Sequence, residues 1–180
     1  VGATSETDYG SYFQWGETAP NTTCNWENYK YNGGTQILTK YNTGVNGYGG
    51  TIDNKLTLDL EDDAARANMG GDWRIPSLAL IEELVAETNS EWVTGYNGTN
   101  INGRKFISKT DPSKYIFIPA SGYRKGSLTN LQGTYGPVWG SSLRISSPEY
   151  AWHLYFTSSN AVATNDMYNR SHGMVVRGVL

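Results

Sequence analysis

The chain has 180 residues, a net charge of −3 and a single cysteine, Cys24. A length of this order forms one domain that buries roughly 70% of its unfolded-chain surface, and the lone cysteine excludes a disulfide framework, a thiolate zinc site and a redox pair. The 14 lysines and arginines are scattered and outnumbered by acids, so the electrostatic footprint of nucleic-acid binding is missing, and no apolar run approaches the ~18 residues of a membrane span.

From Val1 to Gly50 the sequence is rich in Gly, Asn and Tyr. It predicts hairpins and long loops, with a strand at "SYFQWG" and turns at "YNGG" and "VNGYGG". The 13 tyrosines, 6 tryptophans and 21 glycines of the whole chain suit two things, short strands with tight turns or a recognition surface, and composition does not choose between them. The run "LEDDAARANMGG" predicts a short helix over about 61 to 69, with acids at its start and Gly70 and Gly71 at its end. In "IPSLALIEELVAET", Ser77 is the expected N-cap of a second helix that places Ile81, Leu84 and Val85 on one face with Leu78 at its start.

Beyond Asn89 the pattern returns to strands at "KFISK", "KYIFIPAS", "YAWHLYF" and "GMVVRGVL". Two central helices flanked by strands, without βαβ alternation, define an α+β domain on antiparallel strands. In "YAWHLYF" the alternation predicts Trp152, Leu154 and Phe156 in the core, with His153 and Tyr155 facing outward.

A search for chemistry finds little. His153 and His172 are the only histidines, no Gly-x-Ser-x-Gly elbow occurs, and Cys24 sits in an Asn-rich loop. Glu61, Asp62 and Asp63 read as a helix start carrying favourable negative charge; a calcium site is the alternative, without EF-hand spacing. No cofactor is called for, and structural calcium has no positive support.

Four blocks carry a resemblance: "VGATSETDYGSYFQWGETAP", "LTKYNTGVNGYGGTIDNKLTLDLEDDAARANMGGDWRIPS", "IFIPASGYRKG", and the terminal frame "GTYGPVWGSSL", "YAWHLYF" and "NRSHGMVVRGVL". Together they resemble a large family from gut bacteria and their phages with a C-type-lectin-like fold, a major paralogous domain that includes variable proteins of diversity-generating retroelements. The resemblance implies a non-catalytic ligand-binding domain spanning 1–180: two short helices, an antiparallel sheet and extensive irregular loops, with 136–180 as a variable, ligand-displaying segment. It implies a protein or surface-glycan ligand and a place on a cell surface or phage particle. A fixed adhesin module is the alternative; a formylglycine-generating-type enzyme, which needs a cysteine pair, is disfavoured by the lone Cys24, and calcium-dependent sugar binding by the missing "EPN", "QPD" and "WND" motifs.

On that resemblance Trp139, Ser141, Ser142, Ala151, Trp152, Leu154, Tyr155, Phe156, Arg170, Gly173, Val176 and Arg177 are framework, while Pro137, Val138, Gly140, His153, Ser171, His172 and Met174 depart from it, as does Gly178 where proline is usual. The expected contact set is Val138, Gly140, Arg144, Ile145, Ser147, Glu149, Tyr150, His153, Thr157, Asn160, Met167, Asn169, Ser171, His172 and Met174. Tyr150 and Arg144 are its anchors. Arg177 is expected in a buried or half-buried ion pair.

Overall fold

One carboxylate organises the middle of the chain. The acidic run expected to open a single helix divides into a 3-10 turn over Leu60–Asp62 and helix α1 (Ala64–Met69), with Asp63 extended between them as the N-cap. Asp63 Oδ1 accepts from the N–H groups of Ala65 at 2.8 Å and Arg66 at 3.0 Å, while Oδ2 accepts from Ile75 N–H at 2.8 Å. The same side chain therefore caps α1 and pins the segment that follows it. Helix α2 (Leu78–Glu87) starts at Ser77, whose hydroxyl accepts from Leu80 N–H. It buries Ile81 and half-buries Leu84 and Val85, as its periodicity predicts.

The computed structural model, which describes residues 1–164 and 168–180, is an α+β fold of these two helices and several largely antiparallel sheets. The strands in chain order are β1 (Tyr12–Phe13), β2 (Asn32–Gly34), β3 (Ile37–Leu38), β4 (Gly49–Gly50), β5 (Thr88–Val93), β6 (Gly103–Ser108), β7 (Tyr115–Pro119), β8 (Tyr123–Lys125), β9 (Leu128–Asn130), β10 (Val138–Leu143), β11 (Ala151–Phe156), β12 (Ala161–Thr164) and β13 (Met174–Val175). The central sheet runs β1-β13-β10-β11-β12. Its β10–β13 contact, Val138 opposite Val175, is parallel, and its other pairs are antiparallel. A second sheet, β5-β6-β7, packs beside α2, and two small sheets, β2-β3-β4 and β8-β9, complete the set.

Both faces of the central sheet are covered. On one side Phe13, Trp15, Tyr31, Tyr41, Trp139 and Met174 form one core; on the other Ile81, Phe106, Ile118, Val138, Leu154 and Phe156 form a second. Strands buried on both faces lose the one-sided alternation expected of a half-buried strand. His153 is accordingly fully buried rather than outward-facing, with its ring 5.8 Å from that of Trp139 and 6.2 Å from that of Tyr168. Tyr155 is half-buried against Tyr135, and Trp152, expected in the core, is half-buried too.

Four tyrosines of the first fifty residues, Tyr12, Tyr29, Tyr31 and Tyr41, are core residues with polar tips. Tyr29 donates to Trp15 O at 2.8 Å and Tyr31 to Gly16 O at 3.1 Å, and their rings meet edge to face in a chain from Tyr29 through Tyr31 and Tyr41 to Trp15. Among the described residues Arg177 forms no ion pair within bonding distance: its guanidinium donates to the carbonyls of Asp8 at 2.9 Å and Tyr9 at 3.4 Å. Gly178 fits by size, since a Cβ there would stand 2.9 Å from Met69 Sδ and 3.1 Å from the Trp73 ring. Among the described residues no helix is long and apolar enough to cross a membrane.

Replacing Asp63 by Ala strips three N–H groups of their acceptor at once. The expected loss is about 2–4 kcal/mol in urea denaturation, with Asp63→Asn, which keeps one acceptor oxygen, losing less. Equal losses in the two variants would show that the charge, not the acceptor geometry, matters.

Candidate ligand-binding face

The loop from Arg144 to Tyr150 joins β10 to β11 and closes on itself. Arg144 N–H donates to Tyr150 O at 3.1 Å, Ser147 N–H to Arg144 O at 3.3 Å and Tyr150 N–H to Ser147 O at 2.9 Å. Neighbouring segments fix it from outside. Thr43 Oγ1 donates to Ile145 O at 2.9 Å, Asn46 Nδ2 donates to Ser146 O at 2.9 Å and to Ser147 Oγ at 3.0 Å, and Arg170 N–H donates to Glu149 O at 2.8 Å. Loop backbone gains order when its polar groups are satisfied in this way.

On this frame Ile145 is 59% exposed, and the Arg144 guanidinium lies 5.7 Å from the Tyr150 ring centre, with Nε donating to Ser146 Oγ at 3.3 Å. Tyr150 pairs with Asn169, whose Oδ1 accepts from the Ser171 hydroxyl at 2.7 Å and faces His172 Nδ1 at 2.9 Å. Burial lowers the His172 pKa, so the neutral imidazole is favoured near neutral pH. The structure thus brings together Arg144, Ile145, Glu149, Tyr150, Asn169 and His172.

The remaining expected contacts separate from that group. Val138, His153 and Met174 are 2%, 0% and 0% exposed and point into the two cores, and Ser147 and Ser171 are buried by their own loop bonds. Gly140 is also interior: a Cβ there would meet Ile81 Cδ1 and Trp152 O, each at 2.8 Å, and its carbonyl accepts from Trp15 Nε1 at 2.8 Å. Thr157 and Asn160 form the β11–β12 turn, at the opposite end of a six-residue strand, roughly 20 Å from Tyr150. Met167 lies outside the described residues. The sequence reading also missed Tyr48, which adjoins Glu149 and Tyr150; its position one residue after the Val45–Gly47 turn offered no signal of that proximity.

The acidic cluster is not where the resemblance would put ligand contacts, but it bears on calcium. Asp59, Glu61 and Asp62 converge within 4.8 Å, and the Lys40 ammonium bonds all three, at 2.6, 3.0 and 2.5 Å. Lys30 and Lys55 add to Asp62 and Asp59. The lysine nitrogen thus lies among the carboxylate oxygens and offsets their mutual repulsion. Burial works to raise the Asp62 pKa, but hydrogen bonds from Lys30, Lys40, Tyr31 and Tyr41 outweigh it and hold the carboxyl well below the usual range. Cys24 is buried, and desolvation pushes its thiol up to about 11, far from a reactive thiolate.

No protein-family model matches the chain, and neither a curated protein nor a solved structure matches it.

Because the folded pKa of Asp62 lies below its unfolded value near 3.9, its stabilisation is fully present above about pH 4 and is lost as pH falls through the folded value. Urea midpoints are therefore expected to drop in acid, and Asp62→Ala to cost about 2–4 kcal/mol at neutral pH while flattening that acid limb. Excess calcium is expected to leave the melting temperature of the unaltered chain unchanged; a rise would place a cation where Lys40 sits.

Proposed function

We propose that this domain is a non-catalytic ligand-binding module of receptor or adhesin type on a C-type-lectin-like scaffold, with the 144–150 loop and the 169–172 turn as its contact face. The observation that carries the reading is the anchoring of that loop through its main chain, which fixes the backbone at Arg144, Ile145 and Tyr150. Aromatic and guanidinium groups held on a rigid base lose little entropy on binding. The raised Cys24 pKa and the burial of His153 support a non-catalytic role, since neither group is placed to act on a bound molecule. The ligand is a protein or a surface glycan, and the domain sits on a cell surface or phage particle.

A second reading, a fixed adhesin module, draws on a specific observation. Val138, His153, Ser171 and Met174, which depart from the family frame and so counted as changeable, are buried. On the diversified reading the changeable set shrinks to the solvent-facing residues of the 144–150 loop and the 169–172 turn.

Sequencing the coding region for 136–180 across the native population separates the two. Diversification predicts substitutions at the codons of Arg144, Ile145, Glu149, Tyr150, Asn169 and His172, matched by adenines in a nearby near-repeat, with His153 and Met174 constant. An invariant segment with no template copy leaves the fixed module. For a ligand found by either route, Tyr150→Ala or Arg144→Ala is expected to weaken binding by about 1–2 kcal/mol, and Asn160→Ala at the far end to leave it unchanged.

A further inference from the structure

A concavity lies outside the expected contact set. It is a cleft of about 420 Å³ between the Trp26–Glu27 loop and the β2–β3 hairpin, with Tyr48 on its far wall and the buried Leu38 among its lining. That volume is within the ~300–1,000 Å³ of small-molecule sites.

Both walls are built rather than incidental. Asn25 and Asn28 exchange hydrogen bonds between side chain and backbone N–H at 3.2 and 3.0 Å, and Asn28 Nδ2 also donates to Thr23 O, which closes the loop carrying Trp26. Asn32 Nδ2 donates to Trp26 O at 2.7 Å and ties that loop to β2. The Trp26 ring meets Tyr29 edge to face at 5.4 Å. On the other wall Gly49 N–H donates to Gln36 O at 2.8 Å, which holds the hairpin turn against the strand that follows Tyr48. Gln36 itself adopts φ 54°, a left-handed conformation that a long side chain rarely takes.

The chemistry of the lining is selective. Trp26 and Tyr48 supply aromatic surface, and Glu27, Thr35 and Gln36 supply a carboxylate, a hydroxyl and an amide that make no hydrogen bond among the described residues. No lysine or arginine lines the cleft, so nothing there neutralises an anion. Aromatic surface beside one carboxylate and a neutral hydroxyl and amide suits a ligand with an apolar C–H face and hydroxyl edges. We infer that this cleft binds a neutral saccharide, by stacking on Trp26 and hydrogen bonding to Gln36, Thr35 and Glu27, without calcium.

The test titrates the intact chain, in chelator, with short neutral oligosaccharides of the gluco, manno and N-acetylglucosamine series, read by calorimetry and tryptophan fluorescence. At least one series is expected to bind with a dissociation constant of about 0.1–5 mM. Trp26→Ala is expected to weaken that binding at least about tenfold. Gln36→Gly is expected to do the same; it removes the amide while suiting the left-handed backbone, so the fold survives even if Trp26→Ala does not. Tyr150→Ala leaves this binding unchanged, which separates the cleft from the contact face proposed above. No binding up to about 10 mM, binding indifferent to both cleft variants, binding abolished by Tyr150→Ala, or Trp26-dependent binding of choline in place of sugar would each overturn the inference.

Discussion

Two indole hydrogen bonds at the centre of the molecule set the constraint on which the rest depends. Trp139 Nε1 donates to Phe13 O and Trp15 Nε1 donates to Gly140 O, each at 2.8 Å and each fully buried. The pair is reciprocal: each tryptophan fills the core against the other's strand and satisfies a carbonyl there. Segments more than 120 residues apart are thereby fixed in register. The bond to Gly140 O lies where the ladder between β10 and β11 is irregular, its register shifting between Trp139 and Leu143. A side chain satisfies that carbonyl, and the absence of a Cβ at Gly140 lets Ile81 and Trp152 close over the same point. Losing either indole would leave a buried carbonyl and a cavity in the same place, costs that add.

Around this centre, charge is buried in an unusual manner. Arg170 is fully buried and forms no ion pair among the described residues; its guanidinium donates to Tyr41 O at 3.0 Å and lies 5.4 Å from the Trp15 ring and 5.5 Å from the Tyr29 ring. Desolvation lowers its pKa, yet an arginine stays charged, so carbonyl dipoles and ring faces must carry the cation. The arrangement joins three regions at one atom group: the first core, the Lys40–Tyr41 turn and the turn that follows Asn169. Its backbone reaches further, accepting from Trp15 N–H at 3.0 Å and donating to Glu149 O at 2.8 Å. The 144–150 loop is thus anchored to the core through a buried residue.

What the sequence disclosed follows from where the covering atoms come from. Helix α2 was legible because its cap, Ser77, and its apolar period are local, and β6, β7 and β11 because their apolar runs are bounded by turn residues. Strand β10 was not singled out, since "VWGSSL" mixes a glycine and two serines whose fit depends on distant partners. Strand β5 was hidden by following α2 without a break in a polar run, "TNSEWV". His153 reads as exposed when the even positions of "YAWHLYF" are taken as core; Trp139 and Tyr168, brought from elsewhere in the chain, are among the groups that cover it. Arg170, in "YNRSH", has the local look of a solvated turn for the same reason. Among the expected contacts, Arg144, Ile145, Glu149 and Tyr150, in the loop between two strands, keep some exposure, while Val138, Gly140, His153 and Met174, within the strands, are buried.

The richness in Asn, Asp, Ser and Thr has a structural origin that bears on how the surface can change. Asp53 accepts from the N–H groups of Tyr41, Asn42 and Lys55, and Asn42 bonds Gly44 N–H and Gly49 O; short polar side chains here replace the ladder bonds that irregular backbone lacks. The same device holds the 144–150 loop, but there the acceptors at Ile145 and Ser146 are carbonyls. Carbonyls belong to every residue type, so the side chains at these two positions can be exchanged without loosening the bonds that fix them. Ser147 differs, because its own hydroxyl accepts from Asn46. Tolerance of substitution therefore follows which atoms carry the anchoring, and it is greatest at Ile145, where the side chain is exposed and the main chain is already held.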